Sequence, residues 1–271
     1  MRSKPASVRS ATPTRHPLPS RNPTSAAAPE NPMSPSLLNI TPELAASVAT
    51  KTQAVQAVLA EIAANWSTAA FANSLGAEDM VLTDLIVKAK LPIEIFSLDT
   101  GRLPLETYDL MDALRKHYGL KLKIYCPQAE EVESFVRNHG INGFYDSVTL
   151  RKACCYARKV EPLKRALAGK RAWITGLRAQ QAATRTGLPI REYDEGNGLE
   201  KFNPLSDWSE KEIWTYIKQH AVPYNALHDK FYPSIGCAPC TRAISPGEDV
   251  RAGRWWWENA DTKECGLHVK G

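Results

Sequence analysis

Thr68-Ala69-Ala70-Phe71-Ala72-Asn73-Ser74-Leu75-Gly76-Ala77-Glu78-Asp79 is the stretch whose reading decides the fold. Residues 68–73 have the length and apolar content of a short buried strand. A small-residue loop, 74–79, follows, and residues 80–90 continue as a helix. A strand, a tight loop and a helix N-terminus together make an anion site. The first helical N–H groups point outward there, with the positive end of the helix dipole. The loop alone is a weak signal, since most such turns are only connections.

The same unit recurs downstream. Residues 93–98 form an apolar strand ending in Asp99-Thr100-Gly101-Arg102, and a helix over 104–117 is stopped by Gly119. Strand 122–126 is broken by Pro127, and helix 129–138 follows. After a loop at 140–145, one long helix is expected over 149–167. Residues 172–175 form another buried strand, closed by Gly176-Leu177-Arg178. This alternation implies an α/β fold with a doubly wound, mostly parallel sheet covered on both faces. Ligands of such sheets bind at the carboxyl ends of the strands. The loops at Ser74, Asp99 and Gly176 are therefore expected to converge on one crevice.

Upstream, Thr41 and Pro42 mark a helix start as N-cap and first helical residue. Leu44, Val48, Val55, Val58, Leu59 and Ile62 share one face of that helix, which ends near Trp66. Beyond Gln180 the periodicity fades, and Thr184-Arg185-Thr186 and residues 195–198 read as exposed loop. A helix over 210–220 begins behind an N-cap serine, Ser209. Three regions result: a solvated tail (1–36), an α/β domain (41–252) and a mobile C-terminal tail (253–271). The first is rich in Pro, Ser, Ala and Arg and has no acidic residue before Glu30. It cannot bury enough apolar surface to order itself. Its prolines oppose the amphipathic helix of an organelle transit peptide.

The chain of 271 residues carries a net charge of +5, mild enough for a small anionic ligand as for nucleic acid. No apolar run approaches the roughly 20 residues needed to span a bilayer, so no membrane partner is expected. Six cysteines in a chain this long, without a secretory signal, favour metal or redox sites over a disulfide scaffold. A cytoplasmic location is expected.

Cys237 and Cys240 form a C-x-x-C turn that puts two sulfurs on one side of a loop. Cys154 and Cys155 are adjacent within the expected long helix and so point about 100° apart. Both reach one centre only if the helix is distorted or the centre is large. An iron–sulfur cluster, a zinc ion and a redox disulfide all remain open for these four. Lys159, one turn beyond Cys155, would sit beside such a centre and offset its charge. Cys126, ending a strand, reads as a small core residue. Cys265, on a short polar tail, suits a reactive thiolate activated by Arg251, Arg254 and His268, although a spare thiol reads the same way. Trp255, Trp256 and Trp257 read as apolar residues that dock the tail.

Cys154-Cys155, Cys237-x-x-Cys240 and Glu264-Cys265-Gly266-Leu267-His268 together closely resemble the assimilatory sulfonucleotide reductases, in the bacterial iron–sulfur form that acts on adenylyl sulfate (APS). The resemblance spans residues 59–268. It implies an adenine-nucleotide-binding sheet of the PP-loop or HUP-like type. It also implies a 4Fe–4S cluster on Cys154, Cys155, Cys237 and Cys240, and Cys265 as the catalytic nucleophile. Lys159, Arg251, Arg254 and His268 would hold the phosphosulfate, and Ser74, Gly76, Leu98, Thr100, Gly176 and Arg185 the adenosine side. The implied product is sulfite, formed through an S-sulfocysteine and released by a separate thioredoxin, within sulfate assimilation and cysteine biosynthesis. The Ser74 loop lacks the S-G-G-x-D-S form of pyrophosphate-splitting relatives, which argues against ATP. Three rival readings are a reductase of the 3′-phosphorylated nucleotide (PAPS), a non-redox PP-loop nucleotide transferase and a zinc-stabilised nucleic-acid module. Oligomeric state is left open.

Overall fold

The computed structural model describes residues 38–181, 187–259 and 263. The expected N-terminal tail, the loop Thr184-Arg185-Thr186, Cys265 and His268 lie outside them. Helix α1 spans Pro42–Asn65, started by the Thr41 hydroxyl, which accepts the Leu44 N–H at 3.2 Å. Then follow β1 (Ala70–Ala72), α2 (Ala77–Lys88), β2 (Glu94–Leu98), α3 (Leu105–Tyr118), β3 (Lys123–Tyr125) and α4 (Ala129–His139). Next come α5 (Val148–Cys155), α6 (Glu161–Leu167), β4 (Ala172–Ile174), β5 (Arg191–Asp194), β6 (Leu199–Phe202) and α7 (Glu210–His220). The strands form one six-stranded sheet in the order β3-β2-β1-β4-β6-β5. Phe71 pairs with Ile95 on one side and Ile174 on the other, both parallel, and only β5–β6 is antiparallel.

Strand side chains alternate between two apolar layers, as the two-residue period of a strand requires. Phe71, Ile95, Ile174 and Phe202 join the larger layer with α1, α2 and α7. Ala70, Phe96, Trp173 and Leu199 join the smaller one, with Leu163, Ala166 and Leu167 of α6. The sheet is thus covered on both faces, as expected of parallel strands. Among the described residues no helix is long and apolar enough to cross a membrane.

Three local expectations need correction. The region beyond Gln180 is not irregular throughout, because β5 and β6 form a hairpin that extends the sheet. Its charged residues hid it: Lys201 pairs with Glu192 at 2.9 Å and Arg191 with Glu200 at 3.0 Å, so ion pairs replace the apolar alternation. The single helix over 149–167 is instead α5, a π turn (Tyr156–Val160) and α6. Pro162 supplies the cause, since it has no N–H for the Arg158 carbonyl and its ring crowds that carbonyl. Cys126 is exposed rather than buried, because β3 is an edge strand.

Candidate active site

A cleft of about 310 Å³ opens where the carboxyl ends of β1, β2 and β4 meet. Ser74, Gly76, Leu98 and Gly176 line it, together with Lys159, Arg251 and Arg254. The fold therefore brings together residues from five separate stretches of chain. Thr100 faces elsewhere: its hydroxyl accepts from the Cys237 thiol at 3.2 Å, and its carbonyl accepts from Arg158 Nη1 at 2.7 Å.

The Ser74 loop is built around a residue that the sequence reading passed over. Asp79 Oδ2 accepts from the Ser74 N–H at 2.6 Å and the Ser74 hydroxyl at 2.7 Å, and the carboxylate also takes a backbone N–H at Gly176. A Cβ on Gly176 would collide with Asp79 Oδ1, so glycine is what lets the two loops close on each other. Burial pushes the Asp79 carboxyl up to about 7, helped by the neighbouring Glu78 charge. Glu78 is half-buried, and Arg178, donating from Nε at 2.7 Å, holds its carboxyl below the usual range against the cost of burial. The loop thus presents Asp79 to this corner of the cleft, with the Ser74 donors already engaged. Leu75 adopts a left-handed backbone (φ 66°) and its N–H donates to Asn73 Oδ1 at 2.7 Å. Only tertiary contacts hold a leucine there.

Behind the cleft, Cys154, Cys155, Cys237 and Cys240 line one pocket with Arg102, Arg151, Arg158 and Lys159. Cys154 and Cys155 close the last turn of the regular helix α5, and the π turn that follows carries Lys159. Among the described residues no three His, Cys, Asp or Glu side chains are placed to hold a single metal ion. Burial raises the Cys240 thiol to about 12 and also raises that of Cys154, and the Cys237 sulfur adds to both effects. Arg102 Nη1 is buried at this pocket with no hydrogen-bond partner among the described residues. Four soft thiols ringed by cations, one with an orphan donor, are a donor set for a large anionic metal group. Lys159 lines both the pocket and the cleft.

The remaining cations are set by the segment after the C-x-x-C turn. Arg254 packs on Gly236, where a Cβ would meet its guanidinium, and donates to the Ile235 carbonyl at 3.2 Å. Arg251 Nη2 donates to the Lys263 carbonyl at 2.9 Å. Trp255 is buried and lines the cleft beside them.

The phosphoadenosine phosphosulfate reductase domain profile matches residues 68–243, which carry the sheet, the Ser74 loop and all four pocket cysteines. The chain belongs to this family. It is 59% identical to the adenosine 5′-phosphosulfate reductase of Allochromatium vinosum over 81% of this chain and 86% of that one. It is 54% identical to the protein of that name from Burkholderia cepacia over 85% and 90%. These identities place it among the APS-reducing oxidoreductases of the family. A phosphoadenylyl-sulfate reductase from Candida auris superposes with a TM-score of 0.61 at 31% identity, covering 76% of this chain and 99% of that one. Yeast FAD synthetase shares the fold alone (TM-score 0.51, 16% identity, 76% and 70% covered).

Proposed function

We propose that this chain reduces APS to sulfite and AMP through an S-sulfocysteine on Cys265, with a thioredoxin as electron donor, in assimilatory sulfate reduction. The observation that carries the reading is the position of Lys159, on the wall shared by the nucleotide-sized cleft and the four-cysteine pocket. Lys159, Arg251 and Arg254 bring three positive charges to the cleft, and His268 is assigned to the same task. Converging cations are needed because the sulfur under attack belongs to an anionic group that repels a thiolate. The Cys265 thiolate attacks that sulfur, the S–O bond to phosphate breaks, and AMP leaves with the bonding pair. A thioredoxin thiolate then attacks Cys265 Sγ and expels sulfite. The second thioredoxin thiol resolves the mixed disulfide and returns Cys265 reduced.

Ser74, Gly76, Leu98, Gly176 and Arg185 are assigned to the adenosine side of the cleft. Thr100 contributes through Cys237. Cys154, Cys155, Cys237 and Cys240 would hold a 4Fe–4S cluster, whose role when bound is structural and electrostatic rather than electron donation. The 59% and 54% relatives carry the APS name, whereas the PAPS-named structure is at 31%, which favours APS as substrate. Sulfite release is therefore expected from APS and thioredoxin, with little from PAPS, and Cys265→Ser is expected to abolish it while retaining iron. Turnover of PAPS alone, or sulfite from the serine variant, contradicts the reading.

A further inference from the structure

Arg102 stands where three stretches of chain meet at the four-cysteine pocket. It closes the turn after β2, where Gly101 takes a left-handed backbone (φ 68°) and the Arg102 N–H donates to the Thr100 hydroxyl at 3.2 Å. Its carbonyl accepts the Ala238 N–H at 2.8 Å, which ties it to the C-x-x-C turn. Its side chain reaches the stretch before α5. There Nη2 donates to Asn142 Oδ1 at 3.1 Å, and the guanidinium lies 5.0 Å from the centre of the Phe144 ring. The backbone and one end of the guanidinium are thus fixed, and neither task uses Nη1.

Nη1 is buried and has no hydrogen-bond partner among the described residues, and none of their carboxylates lies within ion-pair distance of the guanidinium. Other cations of the pocket are engaged: Arg151 pairs with Glu258 at 2.8 Å, and Arg158 donates to the Thr100 carbonyl at 2.7 Å. A buried donor without an acceptor is costly, and more so when it carries charge. Arg102 lines the pocket beside the four thiols, and its charge opposes part of the rise that burial gives the Cys154 thiol. We propose that Arg102 hydrogen-bonds through Nη1 to a sulfur of the metal group bound by the four cysteines, and so slows the release of that group. This rests on those cysteines holding an iron–sulfur cluster, as the proposed function has it. A cluster on four thiolates is an anion, and hydrogen bonds to its sulfurs are one means by which a protein tunes it. A guanidinium supplies both the charge and a directed N–H, where a lysine supplies a point charge on a flexible stem.

The test compares the anaerobically purified full chain with Arg102→Met, which keeps an apolar stem against Phe144 and removes the charge and the N–H groups. Iron release to a chelator is expected to be on the order of tenfold faster. In resonance Raman spectra the Fe–S stretching bands of the wild type are expected to shift in D2O, because the hydrogen in an N–H···S contact exchanges. That shift is expected to shrink in the variant. A merely structural role would quicken iron release and leave the deuterium shift as it was. AMP affinity is expected to stay unchanged, since Arg102 does not line the cleft. Arg102→Lys is expected to recover part of the iron retention. Should Arg102→Met not fold, Arg102→Lys is measured in its place, with smaller changes in the same two readouts expected. A wild-type deuterium shift, or wild-type iron release, in the folded variant overturns the proposal. A wild-type chain purified without iron and sulfide instead overturns the cluster assignment itself, whatever Arg102 does.

Discussion

At the scale of single residues, Asp79 shows how a tertiary contact changes what a loop can do. Glu78 and Asp79 in the first turn of a helix need no special explanation, since the dipole favours carboxylates there. Nothing local announces that Asp79 also meets Gly176, almost a hundred positions away. The burial that comes with that packing raises its carboxyl from 3.8 to about 7, against the lowering effect of its hydrogen bonds. The folded protein keeps this proton when the unfolded chain has lost it. The contribution of Asp79 to stability is therefore full below 3.8 and declines as pH rises to about 7. Asp79→Asn is expected to flatten that decline. Urea midpoints of both proteins at pH 5 and pH 7 check it, and equal slopes would contradict the raised value. Cys154, Cys155, Cys237 and Cys240 were legible because their spacing is itself the signal. Arg102 was not, because a lone arginine after a strand carries no mark of the pocket it faces.

At the scale of elements, caps and breakers were legible and tertiary compensation was not. Thr41 starts α1 as its type predicts, and Ser209 with Glu212 closes a capping box on α7, with Glu212 accepting the Ser209 N–H at 2.7 Å. The β5–β6 hairpin escaped notice because its charges pair across strands rather than alternating with apolar residues. Pro162 was visible, yet a proline near the start of α6 and a proline inside one long helix look the same until the π turn is seen. That turn sets the rotation of Cys154 and Cys155 relative to Lys159. Pro162→Ala restores the missing N–H and permits a regular helix through 156–160. The expected outcome is less iron per purified chain with undiminished helical circular dichroism. Wild-type iron content would show that the turn does not orient the cysteines.

At the scale of the whole molecule, the alternation of strands and helices carried the fold, and the parallel sheet placed the Ser74, Asp99 and Gly176 loops at one end. From there the chemistry divides between two adjoining spaces. One is a cleft lined by Lys159, Arg251 and Arg254; the other is a pocket ringed by four thiols, with Lys159 on their common wall. The proposed function gives the four pocket sulfurs to a metal group and Cys265 to the substrate. Mass spectrometry of the Cys265 peptide after incubation with APS and no reductant tests that division most directly. A sulfo group on Cys265, removed by thioredoxin with release of sulfite, is the result predicted. AMP formed with Cys265 unmodified, or the sulfo group found on one of the four pocket cysteines, would contradict it.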